Sequence, residues 1–261
     1  MSRLPFPIFV LRLIIRFTAK VIGAWRFNNR RILESIGYVL ALPRSLPIPN
    51  LLPSIQLEAL VSDRTMIEVH SIKSRNGNIS TSELILICKL IREKEPKTIF
   101  EIGTFDGRTT LNMAANAKDA IVYTLDLPES YVGQTKLQIE KGDRIYIIKN
   151  EFSVFYQGTR YMDRIIQLYG DSGDFDFSEW YRITDFVFID GSHSYEYVMN
   201  DAQIALELVR PDGMILFHDY GETWPGVTRA LNELFLTNKR FRGMRHISGT
   251  SFAILDLKKI Y

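Results

Sequence analysis

The stretch Glu101–Gly107 reads Glu-Ile-Gly-Thr-Phe-Asp-Gly and could hold a nucleotide-like ligand. It begins within the last residues of the predicted strand Thr98–Ile102 and precedes a helical pattern that starts near Thr109. Gly103 and Gly107 would let the backbone approach a ligand closely, and the N–H groups at the helix start would face it. The spacing is not Gly-x-Gly-x-x-Gly, which disfavours a dinucleotide. A simple tight turn is the alternative interpretation.

A second candidate, Asp126, comes directly after the apolar run Ile121–Leu125. A carboxylate at the end of a second strand can accept hydrogen bonds from both ribose hydroxyls of an adenosine ligand. A solvated aspartate at a strand end is the alternative. Together with the glycine turn, Asp126 predicts an adenosine site at the carboxyl ends of two strands.

Three later residues could carry the chemistry itself. Asp190 and Asp219 follow the apolar runs Asp185–Ile189 and Met214–Phe217, and open α/β sheets bind ligands at such strand ends. His193 is a candidate proton acceptor, because the unperturbed pKa of histidine lies near working pH. Alternatively, its imidazole pins the turn that it occupies.

The elements that must position these residues alternate between strands and helices. The Ser80–Glu83 capping box predicts a helix that ends at Glu95-Pro96, and Pro211–Gly213 predicts a turn. The remaining predictions are strands Thr98–Ile102, Ile121–Leu125, Ile165–Tyr169, Asp185–Ile189, Met214–Phe217, Gly243–Ile247 and Ser251–Leu255, with helices from Thr109, at Tyr195–Val209 and at Val227–Leu236. We therefore expect an α/β fold with a Rossmann-like, seven-stranded, mostly parallel sheet and helices on both faces.

Charge divides the chain into two parts. Residues 1–50 contain eight Lys/Arg and one Asp/Glu, which leaves 32 − 8 = 24 against 30 − 1 = 29 in the remainder. We predict a basic amphipathic extension with a Pro-rich connector over 1–53, and a catalytic domain over 54–261 whose core begins near residue 80. The remainder lacks a basic patch interleaved with aromatic residues, so nucleic acid is not an expected partner.

Within the extension, Arg12, Arg16 and Lys20 share one narrow arc of a predicted helix over Val10–Trp25. The free-energy cost of burying three cations in a bilayer exceeds the stabilisation gained from burying the apolar residues. The helix is therefore predicted to lie on an anionic membrane surface rather than span the membrane. Packing against protein and an organelle presequence are the alternatives. We expect a cytoplasmic protein, peripheral on the membrane where that helix binds, and a homo-oligomer stays an open alternative. The single cysteine, Cys88, is predicted to be a buried thiol.

The later motifs carry a family resemblance. Phe188–Glu196 reads Phe-Ile-Asp-Gly-Ser-His-Ser-Tyr-Glu, and Pro211–Gly213 and Leu216–Tyr220 follow it. With the glycine turn and Asp126, these motifs resemble class I S-adenosylmethionine-dependent methyltransferases. They are most similar to the small-molecule O-methyltransferases, a branch that includes sugar methyltransferases and cephalosporin-hydroxylase-like proteins. The resemblance covers roughly Ser80–Leu257.

The resemblance implies S-adenosylmethionine as the cofactor and assigns residues to it. Asp126 would bind the ribose, while Asp190 would lie next to both cofactor and substrate. The other implied cofactor-binding residues are Glu101, Gly103, Thr104 and Gly107 on the methionine side and Asp171 and Ser172 at the adenine edge.

The resemblance also raises the question of a metal ion. Several members of this branch hold Mg²⁺ between carboxylates equivalent to Asp190 and Asp219. Here His218 stands where those members often carry another acid, and imidazole is a poor ligand for Mg²⁺. A metal-free site would use His193 as the proton acceptor, so both mechanisms remain open.

The implied reaction is methylation of an oxygen on a small, sugar or lipid-linked acceptor. The protein would align the two reactants and remove the proton of the nucleophile. The long, aromatic-rich connection Glu129–Asp163 is predicted to cover the substrate, with core packing as the alternative. Two other functions stay open: N-methylation, and a catalytically silent membrane-peripheral module that retains the cofactor fold.

Overall fold

The computed structural model describes residues 48–148 and 154–259. The predicted helix Val10–Trp25, and the basic extension as far as residue 47, lie outside the described residues. Within residues 48–148 and 154–259, no helix combines the length and apolar character needed to cross a membrane.

The described part of the chain alternates between strands and helices, as the apolar pattern predicts. In chain order the elements are β1 (Ser54–Ile55), α1 (Thr81–Lys94), β2 (Thr98–Ile102), α2 (Arg108–Asn116), β3 (Ile121–Asp126), α3 (Arg144–Ile147), β4 (Ile165–Tyr169), β5 (Thr184–Ile189), α4 (Tyr195–Leu208), β6 (Val209–Phe217), α5 (Pro225–Thr237), β7 (Arg245–Ile247) and β8 (Ala253–Asp256). Short 3₁₀ turns connect several of them.

These strands form one sheet in the order β1-β7-β8-β6-β5-β2-β3-β4. All neighbouring strands are parallel except β8, which runs antiparallel to both β6 and β7. The predicted Rossmann-like, mostly parallel architecture is therefore confirmed. The described sheet has eight strands rather than seven, because Ser54–Ile55 pairs with His246–Ile247 at one edge. A two-residue strand is too short to show a period in the sequence.

Helices cover the sheet on both faces because successive strand residues point to opposite sides. In β5, Phe186 and Phe188 enter the core layer that contains Leu84 and Ile87 of α1. Val187, between them, enters the layer on the other face, which α4 and α5 cover. The residues of both layers are fully or almost fully buried, so the sheet is a rigid platform for groups at its ends.

Local signals fix the ends of α1. The Ser80 hydroxyl accepts from the Glu83 N–H, and the Glu83 carboxylate accepts from the Ser80 N–H, which confirms the capping box. The helix ends at Glu95, which adopts a left-handed conformation before Pro96. Cys88, in the middle of α1, is buried as predicted.

The predicted turn at Pro211–Gly213 is wrong in detail. These residues belong to β6, which begins at Val209 directly after α4. The pairing of β5 with β6 jumps from Thr184–Val209 to Phe186–Met214, so the strand bulges where the turn was expected. The chain thus leaves the helix and enters the strand with an irregular segment instead of a separate turn.

Candidate active site

One cavity of about 320 Å³ lies at the carboxyl ends of β2, β3, β5 and β6. Most of the residues singled out by the sequence line it, namely Gly103, Asp126, Asp171, Ser172, Asp190, His193, His218 and Asp219. Open parallel sheets bind ligands at this edge. The cavity therefore joins the predicted cofactor residues and the predicted reactive residues in one continuous space.

Gly103 is required by its surroundings. Its φ of 101° is unfavourable for other residues, and an added Cβ would lie 2.0 Å from the carbonyl oxygen of Asp190. The N–H of Gly103 bonds to the Leu125 carbonyl at 2.8 Å, and the N–H of Asp190 bonds to the Ile102 carbonyl at 2.9 Å. The three strand ends β2, β3 and β5 thus stay in register up to the cavity wall.

Gly107 lies outside the cavity lining. It caps the N-terminus of α2 with a φ of 74°, and an added Cβ would contact the side chains of Val154 and Tyr156. Local conformation and packing therefore explain why a glycine precedes this helix. Gly107 itself does not contact the cavity.

Asp126 and Asp171 line the cavity in different ways. Asp126 is half-buried at the end of β3, facing the space next to Gly103. Asp171 is almost fully buried, and its carboxylate accepts from the Lys136 N–H at 2.6 Å, the Gly173 N–H at 2.8 Å and the Tyr197 hydroxyl at 2.6 Å. The Asp171 side chain therefore holds the wall in shape rather than offering a free acceptor.

Glu101 and Thr104 lie beneath the cavity. Glu101 has no exposed surface, and its carboxyl bonds to the hydroxyls of Thr124, at 2.6 Å, and Thr110. Its second oxygen, Oε1, has no hydrogen-bond partner among residues 48–148 and 154–259. Burial raises the pKa of Glu101 to about 8, against the opposing effect of the two threonine hydroxyls. Thr104 bonds to Thr124 at 2.6 Å and to Gln167 at 3.0 Å. Neither residue lines the cavity, although the resemblance implies that both bind the cofactor.

The reactive end of the cavity is a chain of alternating carboxylates and imidazoles. His193 Nδ1 lies 2.5 Å from Asp143 Oδ1, and His193 Nε2 lies 2.8 Å from Asp219 Oδ2. His218 Nδ1 then lies 3.0 Å from the same Asp219 oxygen and 2.9 Å from Asp190 Oδ1. His193 therefore contacts two carboxylates, whereas His218 contacts three, because its Nε2 also lies 3.6 Å from Glu83 Oε2.

This arrangement keeps both histidines charged. Burial acts to lower the pKa of His193, but the bonds to Asp143 and Asp219 outweigh it and raise that pKa to about 9. The pKa of His218 is raised well above its ordinary value for the same reason, with Asp190 as the strongest favourable partner. For Asp219, burial is outweighed by the two imidazoles, which hold its pKa below the ordinary range.

Asp219 also has an unusual backbone. Its φ is 62°, in the left-handed region that residues other than glycine seldom adopt. The neighbouring Tyr220 anchors this bend through a 2.8 Å bond from its N–H to the Ser251 carbonyl. Strained backbone of this kind is concentrated at functional sites, and here it turns the Asp219 carboxylate toward both histidines.

Aromatic side chains wall the reactive end. The Trp224 ring stacks on the His193 ring with 3.8 Å between centroids and an interplanar angle of 14°. Tyr146, on α3, lines the cavity from the other side and meets Phe105 edge to face. Trp224 thus forms an aromatic wall of the cavity, and part of the predicted cover segment, 139–147, does line the cavity.

Asp143 is the site residue that the sequence analysis misses. It lies in the long connection between β3 and β4, just before α3, and is almost fully buried. Nothing in its local sequence distinguishes it from a polar loop residue, because its partners Ser192 and His193 are distant in the chain. The preceding Gly142 is a weak signal, since a side chain there would collide with the Trp224 ring at 2.8 Å.

Asp190, His218 and Asp219 could also hold a metal ion. Each offers one ligand atom, and these atoms lie within 4.8 Å of one another. The residues present fit a divalent cation, provided that His218 gives up the proton it shares with the carboxylates. Because the donor set mixes imidazole with carboxylates, it suits a transition metal such as Mn²⁺ or Zn²⁺ better than Mg²⁺.

Comparison with known proteins places this site in context. Residues 100–220 match the family model described as a methyltransferase domain. The uncharacterized protein R132 of Acanthamoeba polyphaga mimivirus is 30% identical over 145 residues, which cover 54% of this chain and 61% of that protein. The chain thus spans about three fifths of the length of this curated relative.

Two solved structures resemble the described fold at low sequence identity. The O-methyltransferase TomG from Streptomyces achromogenes, solved with SAM, is 15% identical with a TM-score of 0.48, covering 70% of this chain and 90% of that chain. An O-methyltransferase from Bacillus cereus, solved with SAH, is 17% identical with a TM-score of 0.47, covering 70% and 84% respectively. Both likenesses are distant.

Proposed function

We propose that the protein transfers a methyl group from S-adenosylmethionine to an oxygen of a small acceptor, and the match of residues 100–220 to a methyltransferase domain model supports this proposal. One observation carries the proposal. A single cavity joins Gly103 and Asp126, which suit an adenosine ligand, to the carboxylate–histidine chain that ends at Asp219. Cofactor and acceptor can therefore meet inside one continuous, partly open cavity.

In this proposal the cofactor lies along the ends of β2 and β3. Asp126 accepts hydrogen bonds from the ribose hydroxyls, and the backbone of Gly103 lets the methionine part approach the sheet. The wall at Asp171 and Ser172 borders the adenine. Glu101 supports the floor from beneath and, being protonated at neutral pH, adds no charge next to the bound ligand.

The reaction is an in-line displacement. The acceptor oxygen attacks the methyl carbon, the bond from that carbon to sulfur breaks, and S-adenosylhomocysteine remains with a neutral sulfur. The hydroxyl proton must leave to a base. Alignment and proton removal are the two contributions required of the protein.

We assign proton removal to His193. Its Nε2 faces the cavity end beside Asp219, so an acceptor hydroxyl bound next to Asp219 is within reach of that nitrogen. The imidazole accepts a proton only after losing its own, and the pKa of about 9 means that this form grows as pH rises toward 9. Asp190 and Asp219 complete the polar end and hold the acceptor hydroxyls.

A metal ion is the alternative route to the same outcome. Asp190, Asp219 and His218 would hold it, and it would lower the pKa of an acceptor hydroxyl bound to it. Chelation distinguishes the two routes, because His193 needs no metal to accept a proton.

One exposed apolar side chain beside the cavity favours a lipid-linked or partly apolar acceptor. Ile145 is 63% exposed on α3, the same short helix whose Tyr146 and Ile147 line the cavity. We include in the proposal that the basic arc of Arg12, Arg16 and Lys20 brings the enzyme to an anionic membrane, where such acceptors reside.

The proposal is tested by binding and transfer. Isothermal titration with S-adenosylmethionine should give saturable binding, and its labelled methyl group should appear on an acceptor in a lipid or glycan extract as an alkali-stable ether. Label found on nitrogen would indicate an N-methyltransferase. Binding without transfer to any fraction would favour a silent cofactor-binding module, and absence of binding would reject the proposal.

A further inference from the structure

We propose that Asp143 is a positioning residue that fixes the imidazole of His193 for proton removal. The inference rests on the proposed function of the site, and it concerns a residue in the connection between β3 and β4 rather than at a strand end. The carboxylate of Asp143 is 4% exposed and lines the cavity from the cover segment.

Asp143 is itself held in one orientation. Its Oδ2 accepts from the Ser192 hydroxyl at 2.6 Å and from the His193 N–H at 3.1 Å. Its Oδ1 is then left facing His193 Nδ1 at 2.5 Å. All three donors belong to two consecutive residues, so this carboxylate and the turn after β5 form one rigid unit.

The contact decides which ring atom faces the acceptor. Trp224 stacks on His193 and fixes the plane of the imidazole, but a half-turn of the ring about its Cβ–Cγ bond returns it to the same plane and would preserve the stack. That half-turn would exchange a nitrogen for a carbon at both ends of the ring. An acceptor at Nδ1 forbids it, because a ring carbon cannot replace the donated hydrogen bond.

Asp219 cannot do this alone. It shares one oxygen between His193 Nε2 and His218 Nδ1, and it lies where the acceptor hydroxyl must bind. When the acceptor competes for the Nε2 side, Asp143 still holds Nδ1. The proton on Nδ1 therefore stays in place, and Nε2 is the nitrogen that exchanges a proton with the acceptor.

Three variants of the full-length chain test the proposal. Asp143→Asn retains size but replaces one carboxylate oxygen with a donor. Glu140→Gln removes a charge just before Asp143; among the described residues the Glu140 side chain accepts only from the Lys141 N–H, and the backbone bond from the Asp143 N–H to the Glu140 carbonyl is kept. Ser192→Ala removes one bond to Asp143 and leaves the ring contact. Thermal unfolding checks that each variant is folded.

The first measurement is the ¹⁵N spectrum of the histidine rings, which needs no acceptor. In the parent, Glu140→Gln and Ser192→Ala, the proton bonded to His193 Nδ1 should give a resonance shifted strongly downfield. This resonance should be absent in Asp143→Asn. A parent spectrum without that proton overturns the proposal even if Asp143→Asn fails to fold. An unchanged ring spectrum in folded Asp143→Asn overturns it as well.

The second measurement is methyl transfer from labelled S-adenosylmethionine to catechol and to methyl glucoside as probe acceptors. Asp143→Asn should lower kcat on the order of 100-fold while the acceptor KM and the cofactor Kd change little, as for other groups that orient a catalytic imidazole. Equal kcat in Asp143→Asn and the parent overturns the proposal. If the parent itself transfers to neither probe, that counts against the proposed function, and the ring spectra still decide the role of Asp143.

Discussion

Replacing Glu101 with glutamine should change how the stability of the protein depends on pH. Burial raises the pKa of this carboxyl from 4.5 to about 8, so the folded protein keeps its proton at neutral pH. The unfolded chain loses the same proton near its ordinary pKa. Between these two values unfolding releases a proton, and the contribution that protonated Glu101 makes to stability declines as pH rises.

The magnitude follows from proton linkage. Each pH unit in this window lowers the free energy of unfolding by up to about 1.4 kcal/mol. Glutamine has no proton to lose and mimics the protonated acid, with its amide nitrogen at the position of the unpartnered Oε1 and its oxygen accepting from Thr110 and Thr124. Relative to the parent, Glu101→Gln should gain on the order of 2–3 kcal/mol between about pH 5.5 and about pH 7.5.

Urea unfolding of parent and Glu101→Gln at several pH values measures this difference. Other titrating groups, including Asp201, whose pKa burial raises to about 7, are common to both proteins and cancel in the difference. Glu179→Gln, at an exposed position, is the matched control and should show no such trend. A stability difference that stays constant over this pH range would refute the assignment of a neutral, buried Glu101. Cofactor affinity should be unchanged, since Glu101 does not line the cavity.

Three further predictions concern cofactor binding, methyl transfer and the basic extension. Asp126→Ala should weaken S-adenosylmethionine binding by about tenfold or more in calorimetry, because hydrogen bonds to a charged group contribute about 1.5–3 kcal/mol. If the variant binds the cofactor as tightly as the parent does, the ribose does not bind at Asp126. Asp190→Asn should abolish methyl transfer but still bind the cofactor. If EDTA abolishes the activity of the parent and Mn²⁺ restores it, the reaction uses a metal ion. A fragment that begins at residue 48 should still fold and bind the cofactor. Its first residues stay attached to the domain, because the Leu51 N–H bonds to the Asn232 side chain and the Leu52 N–H bonds to the Tyr220 hydroxyl. This fragment should stay in the supernatant with anionic vesicles that sediment the full chain, and equal sedimentation of both would contradict membrane binding by the basic extension.

The sequence predicts the sheet well because the physical signals are local. Buried strands such as β2 and β5 are short segments dominated by isoleucine, valine and phenylalanine, and the Ser80 capping box marks a helix start within four residues. The residues at the strand ends follow from the same pattern. For this reason Gly103, Asp126, Asp190 and Asp219 are found from sequence and do meet in one cavity.

The position of Glu101 outside the cavity lining has a physical cause that the sequence also contains. Side chains alternate along a strand, and Ile99 enters the core layer beneath α1 and α2. Glu101 lies two residues later and therefore points to the same covered face. The family motif assigns the acidic residue to the cofactor by analogy. The alternation of side chains along β2 instead predicts that the Glu101 side chain enters the core layer next to Ile99.

The two halves of the site differ in how the chain builds them. Gly103, Asp126 and Asp190 stand on adjoining strands whose backbone hydrogen bonds continue to the cavity, so the cofactor half is a property of the sheet. Asp143 and Trp224 come from connections, each meets His193 only through a tertiary contact, and both border the acceptor half. Connections vary without disturbing a sheet, while the strand ends cannot move independently. It follows that changes in 139–147 or around Trp224 should alter which acceptor is methylated while leaving cofactor affinity intact, and that acceptor identity is encoded in the part of the sequence with the weakest local signals.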